Sequence, residues 1–349
     1  MLKVKYGDKK YLCAYDLNVE LFDMYNLQVE DVVPLRSVYI LDTSIGKKIL
    51  KRIDYSKERL DFICTSLDYI KQNFSRILTI EKCKDGKNFV QWKNGLYIIL
   101  GLIEGRESAF SNQVDLYLAS KALGELHNAS LGLFECVGEA GMLEDNVTLN
   151  DLSYYFDMAY EDLIKFKDQV ARYSYKNDFD KLYMDNVDYY LKQIYECKQS
   201  INLEAYSKLC KDSSKIVLCH NDLAHHNILI KNNEAHFIDF DYCTIDIRVK
   251  DLATFILKSI KNFSFDIEKC KEILRVYNEV ALLNKSEYEL LYILLKFPHD
   301  FYTCTRDYYY KKKDWGEDIF LYKLSNKLEF KEDREDFLKE FKLNILENM

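Results

Sequence analysis

The stretch from Cys219 to Asp251 limits what this chain can fold into more than any other. The apolar run Ile216-Val217-Leu218 leads into a polar loop, Cys219-His220-Asn221-Asp222-Leu223-Ala224-His225-His226-Asn227. A second apolar run, Ile228-Leu229-Ile230, is followed by a polar turn at Lys231 to Glu234. A third run then ends in Ile238-Asp239-Phe240-Asp241-Tyr242. Apolar runs this short, bounded by turn formers, read as strands that carry a polar site on the loops between them.

That spacing suits phosphoryl transfer. On such a loop one Asp takes or orients the proton of an attacking hydroxyl, and an Asn five residues later reaches a metal ion. A second Asp at the end of the next hairpin holds the metals that bridge nucleotide phosphates. Asp222, Asn227 and Asp239 fill these three places and are the expected catalytic residues. Magnesium takes hard oxygen ligands and keeps several waters, so Asn227, Asp239 and the additional carboxylate Asp241 are the expected metal set. Asp and Asn also serve in loops as plain turn and capping residues; here the spacing and the flanking strands favour a site.

The pattern from His220-Asn221-Asp222 to Asn227, with Ile238-Asp239-Phe240-Asp241 and then Asp251-Leu252-Ala253, resembles the aminoglycoside phosphotransferase and choline kinase superfamily. The fuller wording from Asp222 to Ile230 and from Ile238 to Cys243, with Asp246 and Asp251 beyond it, is similar to the CotS family of spore coat proteins. The likeness is strongest over residues 219–253. It implies a protein kinase-like α+β fold with two lobes. Residues 1–103 would form a small N-terminal nucleotide-binding lobe, an antiparallel sheet plus a helix, and residues 104–349 a larger, mostly helical lobe. It also implies ATP and Mg2+ as cofactors, an unidentified hydroxyl acceptor, and association with other spore coat proteins. A second reading stays open, in which the chain is a kinase-shaped coat component without turnover. Asn221 stands where the superfamily commonly has Gly, and Asn is among the residues that best tolerate left-handed backbone angles.

Composition narrows the alternatives. A length of 349 residues suggests two domains or lobes, and 48% hydrophobic residues can fill a sizeable core. A net charge of -8 argues against a general nucleic-acid binder. Met1 to Tyr6 alternates Lys with apolar residues and lacks a signal-peptide core. The longest apolar stretch, Leu96 to Ile103, is far short of the ~20 residues that span a bilayer. The chain is therefore expected in the cytoplasm, that of the mother cell by the resemblance, or carried onto the spore coat, and not in a membrane. Ten cysteines without a C-x-x-C pair read as reduced core thiols. His220, His225 and His226 lie near Cys219 and Cys243 but lack the paired spacing of a zinc site.

Ten of the eleven glycines fall at or before Gly141. Strand turns use glycine and long helices avoid it, which predicts a strand-rich first part and a helix-rich second. In the first part, Lys51 is the candidate phosphate-binding lysine, because alternation sets it on one face with Ile49 and Ile53. Residues 55–74 read as an amphipathic helix; of its carboxylates Glu58 and Asp61, Glu58 is the candidate to pair with Lys51, with a place on the solvated surface as the equal alternative. The resemblance implies that Leu100, Leu102 and Ile103 lie at a hinge that supplies backbone contacts to the nucleotide base. Val114 to Ser130 reads as a helix with His127 in the core, residues 131–150 as an irregular connection, and residues 152–209 as two long helices. The resemblance also implies that Asp251 props the catalytic loop through its backbone amides.

Overall fold

Period-two alternation organises the first part of the chain, as seen in a computed structural model that describes residues 17–35 and 38–347. The Met1 to Tyr6 segment read above lies outside those residues. Strands β1 (Val29–Leu35), β2 (Val38–Thr43), β3 (Gly46–Ile53), β4 (Val90–Trp92) and β5 (Gly95–Gly101) form one antiparallel sheet in the order β1-β2-β3-β5-β4. The β2–β3 turn closes with Thr43 opposite Gly46, whose φ of 100° admits only glycine comfortably.

The two faces of this sheet bury different clusters. Tyr39, Leu41, Leu50, Tyr97 and Ile99 pack with Leu21 and Phe22 of the short helix α1 (Val19–Asp23). On the opposite face Ile53, Ile98 and Leu100 pack with Leu60 and Cys64 of α2 (Lys57–Ile70), and Ile49 and Ile103 lean on this second cluster. Ser56 caps α2 by accepting from the Arg59 amide. Gly101 ends β5 where a Cβ would collide with Thr79 Oγ1, so a larger residue there would force the Thr79 side chain to move.

A short strand β6 (Arg106–Glu107) precedes α3 (Gln113–Ala129) and α4 (Leu133–Glu139). Helix α4 corrects the expected irregular connection, since a helix of seven residues that contains Gly138 carries too little periodicity to be seen. Then come α5 (Leu152–Ala171), α6 (Asp178–Ser200) and α7 (Leu203–Leu209), three helices where two were expected. The break lies at Ile201-Asn202, where Asn202 turns extended and caps α7. Strand β7 (Ile216–Cys219), hairpin β8 (Ile228–Lys231) and β9 (Glu234–Phe237), and β10 (Thr244–Ile247) follow. The chain continues into α8 (Arg248–Ile260), α9 (Ile267–Val280), α10 (Lys285–Lys296), α11 (His299–Tyr309), α12 (Glu317–Glu329) and α13 (Lys331–Phe341). None of the described helices is long and apolar enough to cross a membrane.

The described residues divide into two compact units, and neither is a single run of chain. The first comprises the described residues up to Ala122, with Gly132–Asn146 and His225–Cys243; the second comprises Leu123–Leu131, Val147–Ala224 and the residues from Thr244 onward. In the second unit the aromatic residues are mostly core, with Phe156 stacked on Phe297 at 4.3 Å and Tyr190 on Phe301 at 3.9 Å. Tyr154, Tyr175 and Tyr322 are among the exceptions, 70%, 78% and 67% exposed. Arg248, at the start of α8, donates to buried Glu287 of α10 through Nε (2.7 Å) and Nη2 (3.0 Å), and Glu287 closes a capping box with Asn284.

Candidate active site

In the first unit the site grows from the end of a hairpin. Strands β8 and β9 pair Ile228 with Phe237 and Lys231 with Glu234, and the tip residues Asn232 and Asn233 both take positive φ. Two successive left-handed residues match the right-handed twist of a two-residue hairpin, which is why asparagines stand there. Asn227 is buried and ends a single 3-10 turn just before β8; the Ile238 amide donates to its carbonyl at 3.0 Å. The hairpin thus holds Asn227 close to the chain that carries Asp239.

Asp239 itself takes a φ of 65°. Lys51 Nζ donates to Asp239 Oδ1 at 2.8 Å and to Asp241 Oδ2 at 2.5 Å. Burial alone would lower the pKa of Lys51, but the Asp241 and Asp239 carboxylates more than offset it and hold the ammonium above the ordinary lysine range. Tyr55 Oη donates to Asp241 Oδ1 at 3.1 Å. Arg59, on the first turns of α2, donates to Asn146 Oδ1 at 2.6 Å and to the carbonyls of Asp241 (2.9 Å) and Cys243 (2.5 Å). Two carboxylates, one amide and one lysine therefore lie on β3, the 3-10 turn and the segment after β9.

In the second unit β7 and β10 pair in antiparallel fashion, with Cys219 opposite Thr244. The loop after β7 is held by Asp251 of α8, fully buried, which accepts from the His220 amide at 2.8 Å and the Asn221 amide at 2.9 Å. Asn221 has a φ of 63° and donates from Nδ2 to Thr244 Oγ1 at 2.9 Å. His127 is buried too, with Nε2 3.2 Å from Asp251 Oδ2 and Nδ1 2.7 Å from Tyr277 Oη. With a proton on Nε2 the ring donates to Asp251, and Nδ1 can accept from Tyr277 Oη. Burial works to raise the pKa of Asp251, yet the His127 and His220 interactions and the amide donors outweigh it and hold the carboxyl below its usual range. Asp222, at the end of the propped loop, forms an ion pair with Lys258 of α8.

The structure thus gathers Lys51, Asp239 and Asp241 into one cluster, with Asn227 tied to the same segment. Glu58 does not join it. Glu58 is exposed in the first turn of α2, and the hydrogen bonds of Lys51 run to the two aspartates instead. Leu100 is buried and pairs with Ile49, while Leu102 and Ile103 are half-buried beyond the end of β5. Tyr55, Arg59 and Lys258 are the site residues that sequence reasoning missed. Arg59 was within one residue of view, for a step of one position turns a helical side chain by about 100° and so moves it from solvent to the site.

Asn227 and Asp239 offer hard oxygen donors suited to Mg2+, which is ordinarily bound by one or two carboxylates with water and phosphate completing its shell. Among the described residues no group of three or more His, Cys, Asp and Glu side chains is arranged to hold a metal by itself. Cys219 is buried and its thiol is pushed well up by that burial, the reverse of what a zinc thiolate requires.

The family model described as "Spore coat putative kinase YutH" matches residues 18–341. The chain belongs to that family. It is 23% identical over 307 residues to spore coat protein S of Bacillus subtilis (strain 168), covering 87% of this chain and 86% of that protein. The CotS likeness read from residues 219–253 is thereby borne out. Among solved structures, an aminoglycoside phosphotransferase from Alicyclobacillus acidocaldarius matches with a TM-score of 0.81 at 17% identity, over 95% of this chain and 97% of that one. Spectinomycin phosphotransferase in complex with ADP and spectinomycin matches with a TM-score of 0.55 at 18% identity, over 85% and 89%. The expected kinase-like α+β fold is present, with an antiparallel sheet first and a mostly helical region after it.

Proposed function

We propose that this family member is an ATP- and Mg2+-dependent phosphotransferase that moves the γ-phosphoryl of ATP to a hydroxyl of a small acceptor. The observation that carries the reading is the junction of Lys51 with Asp239, two residues 188 positions apart that meet at 2.8 Å. Lys51 would bind nucleotide phosphate. Asn227 and Asp239 would hold the metal, which supplies charge neutralisation on the phosphate oxygens. Asp222, paired with Lys258, would accept the proton of the acceptor hydroxyl. As that oxygen bonds to the γ-phosphorus, the bond from the γ-phosphorus to the bridging oxygen breaks, and ADP leaves with the electron pair. Solved structures of the same fold that hold ADP, AMP or AMP-PNP support a nucleotide in this role.

Two measurements test the proposal. ATP with Mg2+ at a hundred times its dissociation constant should stabilise the protein by about 2.7 kcal/mol in a thermal melt. ATP consumption against a panel of sugars, amino alcohols and coat extracts should fall by about 10²–10⁴-fold in Asp222→Asn. The likeness to spore coat protein S favours a second reading, a coat component that keeps the fold without turnover. Equal ATP consumption by wild type and Asp222→Asn would support that reading and defeat the first.

A further inference from the structure

Asp239 and Asp241 meet the same lysine, yet their surroundings differ. Both carboxylate oxygens of Asp241 are engaged by donors of this chain, Oδ2 by Lys51 and Oδ1 by Tyr55. Its carbonyl is held as well, by Arg59. The Asp241 side chain is 26% exposed against 41% for Asp239, which shares only Oδ1 with Lys51. Helix α2, where a carboxylate partner for the strand lysine was expected, instead presents Arg59 to the Asp241–Cys243 backbone while Glu58 faces solvent.

We infer that Asp241, buttressed by Tyr55, is the carboxylate that positions Lys51, which leaves Asp239 and Asn227 as the metal ligands. The inference rests on the phosphotransferase reading above and divides the labour of its acidic pair. A lysine and a divalent cation repel each other, so one carboxylate cannot serve both well. With separate partners, Lys51 keeps Asp241 when Asp239 is taken by a cation, and the ammonium stays in place for a phosphate. Tyr55 holds Asp241 by Oδ1, the oxygen that Lys51 does not take, and Arg59 holds the backbone that carries it. Tyr55 and Asp241 are thus positioning residues for Lys51.

Calorimetric titration of ADP, with and without Mn2+, distinguishes the roles. Wild type should bind ADP more tightly when Mn2+ is present. Asp239→Asn should lose that increment and bind ADP equally in both conditions. Asp241→Asn should keep the increment while weakening ADP by about tenfold in both conditions, as Lys51→Met does, and the double variant should be no weaker than either single one. Tyr55→Phe, which removes one hydroxyl, should show the same pattern at about threefold, so a folding defect in Asp241→Asn cannot mimic the result. Loss of the Mn2+ increment in Asp241→Asn, or unchanged ADP affinity in it, overturns the inference while leaving the phosphotransferase reading standing. A wild type that binds no ADP in either condition overturns both.

Discussion

Asp251 shows how much a single side chain does for the candidate loop. It accepts two backbone amides and faces His127, all without exposure to water. Asp251→Asn would turn an amide donor toward groups that are themselves donors, leaving at least one buried N–H unmatched. We expect a loss of about 3 kcal/mol in urea denaturation. The pH dependence follows from the direction of its pKa. The folded value lies below the unfolded one, so this stabilisation is complete above the ordinary carboxylate range and is lost as pH falls through the lowered folded pKa. Wild type should therefore lose more stability than Asp251→Asn on acidification below about pH 4. At this scale the sequence was informative wherever chemistry is local. The spacing of Asp222, Asn227 and Asp239 and the left-handed Asn221 belong to one short stretch, whereas the propping role of Asp251, some 30 residues from the amides it accepts, came from the family resemblance. Tyr55, Arg59 and Lys258 were hidden, since each acts on a partner far along the chain.

Elements were legible in proportion to their length and periodicity. Helix α2 and strand β3 emerge from alternation and three- and four-residue steps, and β3 places Lys51 on the face that holds Ile49 and Ile53 as its sequence requires. Helix α4 and strand β6 are too short to carry a period, and α7 merges with α6 unless the cap at Asn202 is noticed. The contact of α8 with α10 rests on a pair invisible to any local pattern. Glu287 is 1% exposed and faces Arg248, 5% exposed, while also closing its own helix cap. Glu287→Gln keeps the shape and the capping hydrogen bond but leaves the guanidinium buried without its counter-charge. Chemical denaturation should show a loss of about 3 kcal/mol, and restoring a carboxylate at that position should recover it.

For the molecule as a whole, composition foretold the order of sheet and helices, because glycine is spent in the first part and withheld from the second. It did not foretell that each compact unit is assembled from several separate runs of chain, since compactness depends on which distant segments meet. The expected cut after residue 103 is a sequence boundary, whereas the units share the chain in alternation. Cysteine chemistry follows from burial throughout. Every described cysteine is an unpaired thiol, and all but Cys136 are buried. Burial pushes Cys64 and Cys197 up to about 12. A thiol-specific chromogenic reagent at neutral pH should therefore modify the buried cysteines only at the rate of opening, and full labelling should coincide with unfolding. Fast modification of Cys219 or Cys270 in the native protein would contradict this packing.

The pairing of Cys219 with Thr244 has a consequence for variation. It ties the chain from Cys219 to Thr244 into a closed loop whose neck is four residues of ladder on each side and whose rim, in chain order, includes the Asn232-Asn233 bend. Ring-closure entropy rises only slowly with circumference, so lengthening the rim costs little, whereas any slip in the neck inverts every side chain along it. Relatives with longer or shorter rims should thus tolerate the change, and those that keep working should be found to have left the neck untouched.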